Sequence, residues 1–197
     1  MYDLYHANRR DTCRFALGKM GNRPLFVVGL NPSTANREKS DVTATKVARV
    51  AYAEGYDGFA MTNLYPRRST CPDDLPQRAD SRIWHRNIEI IIELAKQQSA
   101  PQFWAAWGGD ISKRSYLIRA CQRLAEEVAD IGGSWWCYGP IEEGPVGKGR
   151  LSKDLVSKDS VRRSPLTKKG HPRHPSRLSY SWALQRFDAQ RYIMQLA

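Results

Sequence analysis

Four short stretches hold the side chains best suited to chemistry: Gly29-Leu30-Asn31-Pro32-Ser33-Thr34-Ala35-Asn36, Thr62-Asn63-Leu64-Tyr65-Pro66-Arg67-Arg68, Trp107-Gly108-Gly109-Asp110, and Gly170-His171-Pro172-Arg173-His174-Pro175-Ser176-Arg177-Leu178-Ser179. Asparagine both donates and accepts hydrogen bonds, and histidine titrates near neutrality, so these types suit polar recognition and proton handling. Each stretch alone has a plain structural explanation, because Asn-Pro is a common turn signal and an asparagine after a strand often caps a helix. Their order along the chain is more informative than any one of them. Nucleophilic acyl transfer is disfavoured: no Gly-x-Ser-x-Gly is present, and Ser33 and Ser176 lack an evident acidic partner. Cys13, Cys71, Cys121 and Cys137 form no Cys-x-x-Cys pair and read as reduced, mostly buried thiols. The zinc-deaminase pattern is absent as well. No metal or cofactor is expected.

The elements that must position these residues follow from apolar patterning. Leu25 to Leu30, Gly58 to Leu64, Gln102 to Trp107 and Ser134 to Tyr138 are short, rich in aromatic and β-branched residues, and bounded by Gly or Pro, as buried strands are. Trp104, Trp107, Trp135 and Trp136 fall inside them and are expected in the core. Helical spacing runs through Asp41 to Glu54, capped by Ser40 or Asp41, through Ser81 to Gln98, and through Ile111 to Ile131. A last helix is expected over Tyr180 to Leu196, with Leu184, Phe187, Arg191 and Met194 on one side. Strands alternating with helices predict a three-layer α/β/α sandwich around a four-stranded, mainly parallel sheet. In such sheets ligands bind at the carboxyl ends of the strands, where the first three stretches fall.

The chain has 197 residues, 41% apolar and 26% charged, which fits one globular domain over residues 1–197. No run approaches the roughly 18 apolar residues of a membrane helix, and the amino terminus has no apolar signal stretch, so a cytoplasmic protein is expected. The formal net charge is +11, and ten of the basic residues lie between Lys148 and Arg177 with only Asp154 and Asp159 to offset them. Residues 139–170 read as a basic, Gly/Pro-rich loop insertion within the domain. A concentration of this kind suits a polyanion, and without an amphipathic anchor nucleic acid is a better fit than a membrane. DNA is the expected partner. No obligate protein partner is evident.

Taken together, LNPSTAN, the aspartate-led helix at Asp41-Val42-Thr43, the turn from Gly55 to Gly58, NLYPRRST, AWGG and PRHP resemble a bacterial and phage family, domain-of-unknown-function family 1643, over about Arg14 to Leu178. The same layout is more distantly similar to the uracil-DNA glycosylase superfamily. There, a G-x-N/D-P motif follows strand one, an asparagine follows strand two, a WG follows strand three, and a late loop reads HPSPLS. The matching segments here are Gly29 to Pro32, Asn63, Trp107-Gly108, and His174 to Ser179.

That second resemblance implies a DNA glycosylase that hydrolyses the N-glycosidic bond of a flipped, modified or damaged pyrimidine and leaves an abasic site. Asn31 would orient the water, His174 would donate to the departing base, and Asn63 would read its edge. Gly29, Leu30, Pro32, Ser33 and Tyr65 would complete the base pocket, with Tyr65 as a stacking platform. Lys168, Lys169, Arg173, Ser176, Arg177, Leu178 and Ser179 would hold DNA, and Arg177 and Leu178 would fill the space the base vacates. Ser33 stands where the uracil-specific branch has a bulky tyrosine, which implies tolerance of substituents at carbon five. A hypermodified phage base, such as a glycosylated hydroxymethylpyrimidine, is one such substrate, and its removal would serve antiviral defence. Two alternatives stay open: a non-catalytic module that senses altered bases, and an enzyme acting on free nucleosides or nucleotides.

Overall fold

A computed structural model describes residues 1–140 and 164–196. The fold is mixed α/β: among the described residues seven strands form one sheet, and four α-helices pack against it. The strands are β1 (Leu4–Ala7), β2 (Arg14–Lys19), β3 (Pro24–Gly29), β4 (Gly58–Asn63), β5 (Gln102–Ala105), β6 (Ser134–Gly139) and β7 (Ala183–Arg186). The helices are α1 (Val42–Ala53), α2 (Ser81–Ala95), α3 (Ser115–Asp130) and α4 (Ala189–Met194). Strand order is β1-β2-β4-β3-β5-β6-β7. Its middle, β4-β3-β5-β6, is parallel and is the block expected from the apolar runs.

The sheet is wider than the four strands expected, because antiparallel strands extend both edges: β2 and β1 on one side and β7 on the other. The terminal helix also begins later than expected. Leu184 packs with the cluster around α1, whereas Phe187 packs with the cluster around α2 and α3. A three-residue separation puts two side chains on one face of a helix but on opposite faces of a strand. Pairing along the edge of β6 therefore holds Ala183–Arg186 extended, and only Ala189–Met194 is helical.

Local signals explain the helices that do form. The Asp41 carboxylate caps α1 by accepting from the Ala44 N–H at 2.8 Å, and Asp80 caps α2 by accepting from Arg82 and Ile83. The buried face of α1 (Ala44, Val47, Val50, Ala51) joins one apolar cluster; Ile88, Ile91 and Ile92 of α2 and Leu117, Leu124 and Val128 of α3 join the other. Trp104, Trp107 and Trp135 are buried as expected. Trp136 is only half-buried and is covered by the Arg186 guanidinium 4.6 Å above its ring. Among the described residues, no helix is long and apolar enough to cross a membrane.

The order of strands decides where a site can form. From β3 the chain passes through α1 to β4 on one side, then through α2 to β5 on the other, so the connections diverge and leave a crevice at the carboxyl ends of β3 and β5. The antiparallel edges add to the same rim. An antiparallel strand starts where its parallel neighbour ends, so Arg14, first in β2, sits beside the end of β4 and its N–H donates to the Pro66 carbonyl at 2.9 Å. The segment ahead of β7 is likewise delivered to the end of β6.

Candidate active site at the strand carboxyl ends

All four stretches converge on one cavity of about 650 Å³. Leu30, Asn31 and Ser33 come from the turn after β3, Asn63 from the end of β4, Trp107, Gly108, Gly109 and Asp110 from the turn after β5, and His174, Ser176 and Arg177 from the late loop. Arg14, Asp41, Thr43, Ser69 and Thr70 also line it.

Asn63 closes the cavity from the sheet side. It is 0% exposed, and neither its Nδ2 nor its Oδ1 has a hydrogen-bond partner. Its backbone is pinned, since Asn87 Nδ2 donates to the Asn63 carbonyl at 2.8 Å. A buried amide without partners forfeits the hydrogen bonds it had in water, a cost usually tolerated where a ligand supplies replacements. Gly29 makes room for it: a Cβ at position 29 would lie 2.8 Å from Asn63 Oδ1.

Asn31 is oriented in a different way. Its Nδ2 donates to the Ser69 carbonyl at 2.8 Å and to the Pro32 carbonyl at 3.2 Å. With the nitrogen committed, Oδ1 is left as the acceptor for a water or hydroxyl in the cavity. Pro32 is buried and serves this turn through its carbonyl, which also accepts from the Ser69 N–H at 2.9 Å.

His174 has a defined proton position. Its Nδ1 accepts from the Ser176 N–H at 3.2 Å and lies 2.8 Å from the Ser176 hydroxyl. An Nδ1 that accepts from a backbone N–H carries no proton, so the neutral ring holds its hydrogen on Nε2. Burial lowers the imidazole below its ordinary value, with nearby Asp110 and Asp41 partly opposing, so the neutral form prevails at pH 7. Gly108, at φ +74°, passes under this histidine, and a Cβ there would come within 3.3 Å of the His174 Cβ.

The second histidine of the loop has a structural task. Trp107 Nε1 donates to the Tyr192 hydroxyl at 3.1 Å, and that hydroxyl lies 2.9 Å from His171 Nδ1. This chain ties the loop to α4 beneath the cavity.

Several expected contact residues are placed elsewhere. Tyr65 is 1% exposed, packs at a tilt against Tyr116 with ring centroids 4.9 Å apart and accepts from the Asp80 N–H, so it is a core residue and not a base-stacking platform. Leu178 packs against the α1 cluster, which separates it from Arg177, exposed at the cavity rim. Arg173 is occupied: it donates to the Ser164 carbonyl at 3.1 Å and lies over the Trp182 ring. Lys168 and Lys169 are exposed at the tip of a tight turn closed by Thr167 and Gly170. Ser179 is exposed and pairs with Ser181, while the Ser176 carbonyl accepts from Lys46 Nζ at 2.7 Å, fastening the loop to α1. Six of the ten clustered basic residues, from Lys148 to Arg163, lie outside the described residues.

Arg14 is a cavity residue that the motifs did not point to. It is 1% exposed, and among the described residues its one side-chain hydrogen bond runs from Nη1 to the Ala35 carbonyl at 2.8 Å, with Nε unpartnered. Burial and the neighbouring Arg68 push it down to about 10, still protonated at neutral pH. Its one signal in the sequence is an arginine opening an otherwise apolar run, Arg14-Phe15-Ala16-Leu17. Asp110, with no role expected of it, also reaches the cavity and pairs with Lys113 at 3.3 Å.

Comparison with curated proteins gives no match, and comparison with solved structures gives none either. A family model does match over residues 14–176, a span that takes in all four stretches except the end of the last loop, and the chain therefore belongs to the DUF1643 family, described as a protein of unknown function.

Proposed function

We propose that the protein is a DNA glycosylase that hydrolyses the N-glycosidic bond of a flipped pyrimidine bearing a modification or damage, and leaves an abasic site. On this reading the helices on both sheet faces make a three-layer α/β/α sandwich of the uracil-DNA glycosylase kind. The observation that carries the proposal is the unpartnered, fully buried amide of Asn63 in the same cavity as Asn31 and His174. An amide that donates and accepts along one plane complements the edge of a pyrimidine, where a carbonyl and a ring nitrogen or exocyclic amine lie side by side.

The remaining groups fit the reaction. As the bond between the base nitrogen and C1′ breaks, its electron pair leaves with the base and the sugar becomes cationic. The His174 Nε2–H donates to the base carbonyl, where the negative charge gathers. A water held by Asn31 Oδ1 adds to C1′ and releases its proton to solvent. An amide cannot remove that proton, so catalysis rests on leaving-group stabilisation and water placement. Arg177 at the cavity rim, and the exposed Lys168 and Lys169 that follow the cavity-lining Thr167, suit the phosphates flanking a flipped nucleotide. Ser33 leaves space beside the ring, which favours a substituted pyrimidine, including the hypermodified bases of phage DNA, and a role in antiviral defence.

An abasic-site assay on duplexes carrying uracil, mismatched thymine, 5-hydroxymethylcytosine or its glucosylated form tests the proposal. Strand scission after alkaline treatment is expected for at least one substrate, and Asn31→Ala and His174→Ala should abolish it while retaining DNA binding. If no duplex is cut by the wild type, the glycosylase reading falls, and tight binding without turnover would then mark a sensor of altered bases.

A further inference from the structure

Arg14 is costly to bury, and its one side-chain hydrogen bond among the described residues goes to a carbonyl that a second donor also serves. One N–H satisfies the Ala35 carbonyl, yet Arg68 Nη1 already donates to that oxygen at 2.9 Å and to the Ser33 carbonyl at 2.7 Å. No carboxylate pairs with Arg14 among the described residues: Arg68 takes Asp11 at 3.1 Å, and Asp41 is engaged in capping, accepting from the Ala44 and Ala35 N–H groups. A guanidinium that is 1% exposed, with Nε unpartnered, in a cavity wall retains donors for an acceptor on a bound molecule.

The neighbours of Arg14 narrow what that acceptor is. In strand order Asn63 of β4 lies between Arg14 of β2 and Gly108 after β5, with His174 beside Gly108; the turn after β3 brings Ser33 toward Arg14, since Arg14 and Arg68 share the Ala35 carbonyl and Arg68 also takes the Ser33 carbonyl. A ring held by Asn63, with its leaving carbonyl toward His174, presents its other side to Ser33 and Arg14. We propose that Arg14 and Ser33 form a subsite for an oxygen-bearing substituent on the bound pyrimidine, one that offers acceptor oxygens, such as a carboxylate or a hydroxylated group. This rests on the reading of the cavity as a pyrimidine site. It specifies that the preferred substituent is an oxygen acceptor and that a plain alkyl group is disfavoured, because a methyl would leave the guanidinium desolvated and unpaired.

The test is equilibrium binding, which does not depend on turnover. Fluorescence anisotropy with labelled single-stranded oligonucleotides holding one unmodified, 5-methyl-, 5-hydroxymethyl-, 5-carboxyl- or glucosylated hydroxymethylcytosine compares the substituents at constant salt. Binding of an oxygenated base should be roughly 10- to 100-fold tighter than that of the methylated base, the range expected of hydrogen bonds to a charged donor. The carboxyl and sugar arms tell whether an anion or a polyol is preferred. Arg14→Met should reduce the ratio to near one. Ser33→Tyr, which fills the subsite and leaves the buried arginine in place, should reduce it too and decides the matter if Arg14→Met does not fold. Equal or tighter binding of the methylated base, or a ratio that survives both substitutions, overturns the subsite. A preference for oxygenated bases without base release would retain the subsite while refuting glycosylase activity; failure to distinguish any modified base from unmodified cytosine overturns the subsite and the pyrimidine pocket together.

Discussion

Replacing Asn63 by leucine separates a residue kept for a ligand from one kept for the fold. Both polar atoms of the amide are buried and unpartnered, and its contact with the rest of the site is the space above Gly29. An unsatisfied buried polar group costs about 1–3 kcal/mol. Leucine has the same branched, four-heavy-atom side chain with no polar atoms, and the Asn87 contact is to the backbone and survives the change. Asn63→Leu should therefore stabilise the free protein by about 2 kcal/mol. At about 2–4 °C per kcal/mol for a chain of this size, that is a rise in Tm of about 4–8 °C by differential scanning calorimetry. The same variant should bind a target oligonucleotide roughly 10- to 100-fold more weakly, because one or two hydrogen bonds to the base are no longer made. Stability and binding should move in opposite directions. A variant that loses stability while retaining binding would show that Asn63 is held by structural partners, and the assignment of the cavity would fail with it.

Gly29→Ala should act through the same amide: its Cβ at 2.8 Å would displace Asn63 Oδ1, so binding should drop about tenfold while circular dichroism reports an intact fold. The pH dependence follows from His171 and His174, both lowered chiefly by burial. The unfolded chain takes up protons at these rings near 6.5, above the folded-state values, so their stability contribution is complete above that pH and is lost as pH falls through the folded values; urea titrations from pH 8 to 5 should show it, and His174→Gln should lessen the loss. Turnover, which uses neutral His174 with Nε2 as donor, should be flat above pH 6.5 and decline on acidification; a rate that climbs toward low pH would refute the neutral donor. Neutralising Lys168, Lys169 and Arg177 together should lower the salt slope of DNA binding by up to about 3, near 0.9 for each phosphate left without its cation, and should not alter base preference. Neutralising Arg173 should have less effect on that slope, because its guanidinium is already spent on Ser164 and Trp182.

The interior of this protein is written plainly in its sequence. The strands β3, β4, β5 and β6 are short apolar runs flanked by breakers, and α1, α2 and α3 repeat apolar residues at three and four, since burial on one or both faces imposes those periods on any chain. The cavity-lining stretches were legible for a related reason: the turns after parallel strands meet at one rim whichever strand order is used. The edges were not legible. Leu4–Ala7, Arg14–Lys19 and Ala183–Arg186 are strands because a neighbour with unpaired backbone groups lies alongside them, and nothing local announces that partner. Tyr65 illustrates the same limit, since its place after a strand suits a stacking platform, and only its packing against Tyr116 and α2's cap turns it into core. Arg14 is the plainest case. Sequence determined that a basic residue opens an apolar run; the antiparallel pairing of β2 with β4 decided that its guanidinium would be buried at the carboxyl end of the parallel strands, in the wall of the cavity, with donors to spare.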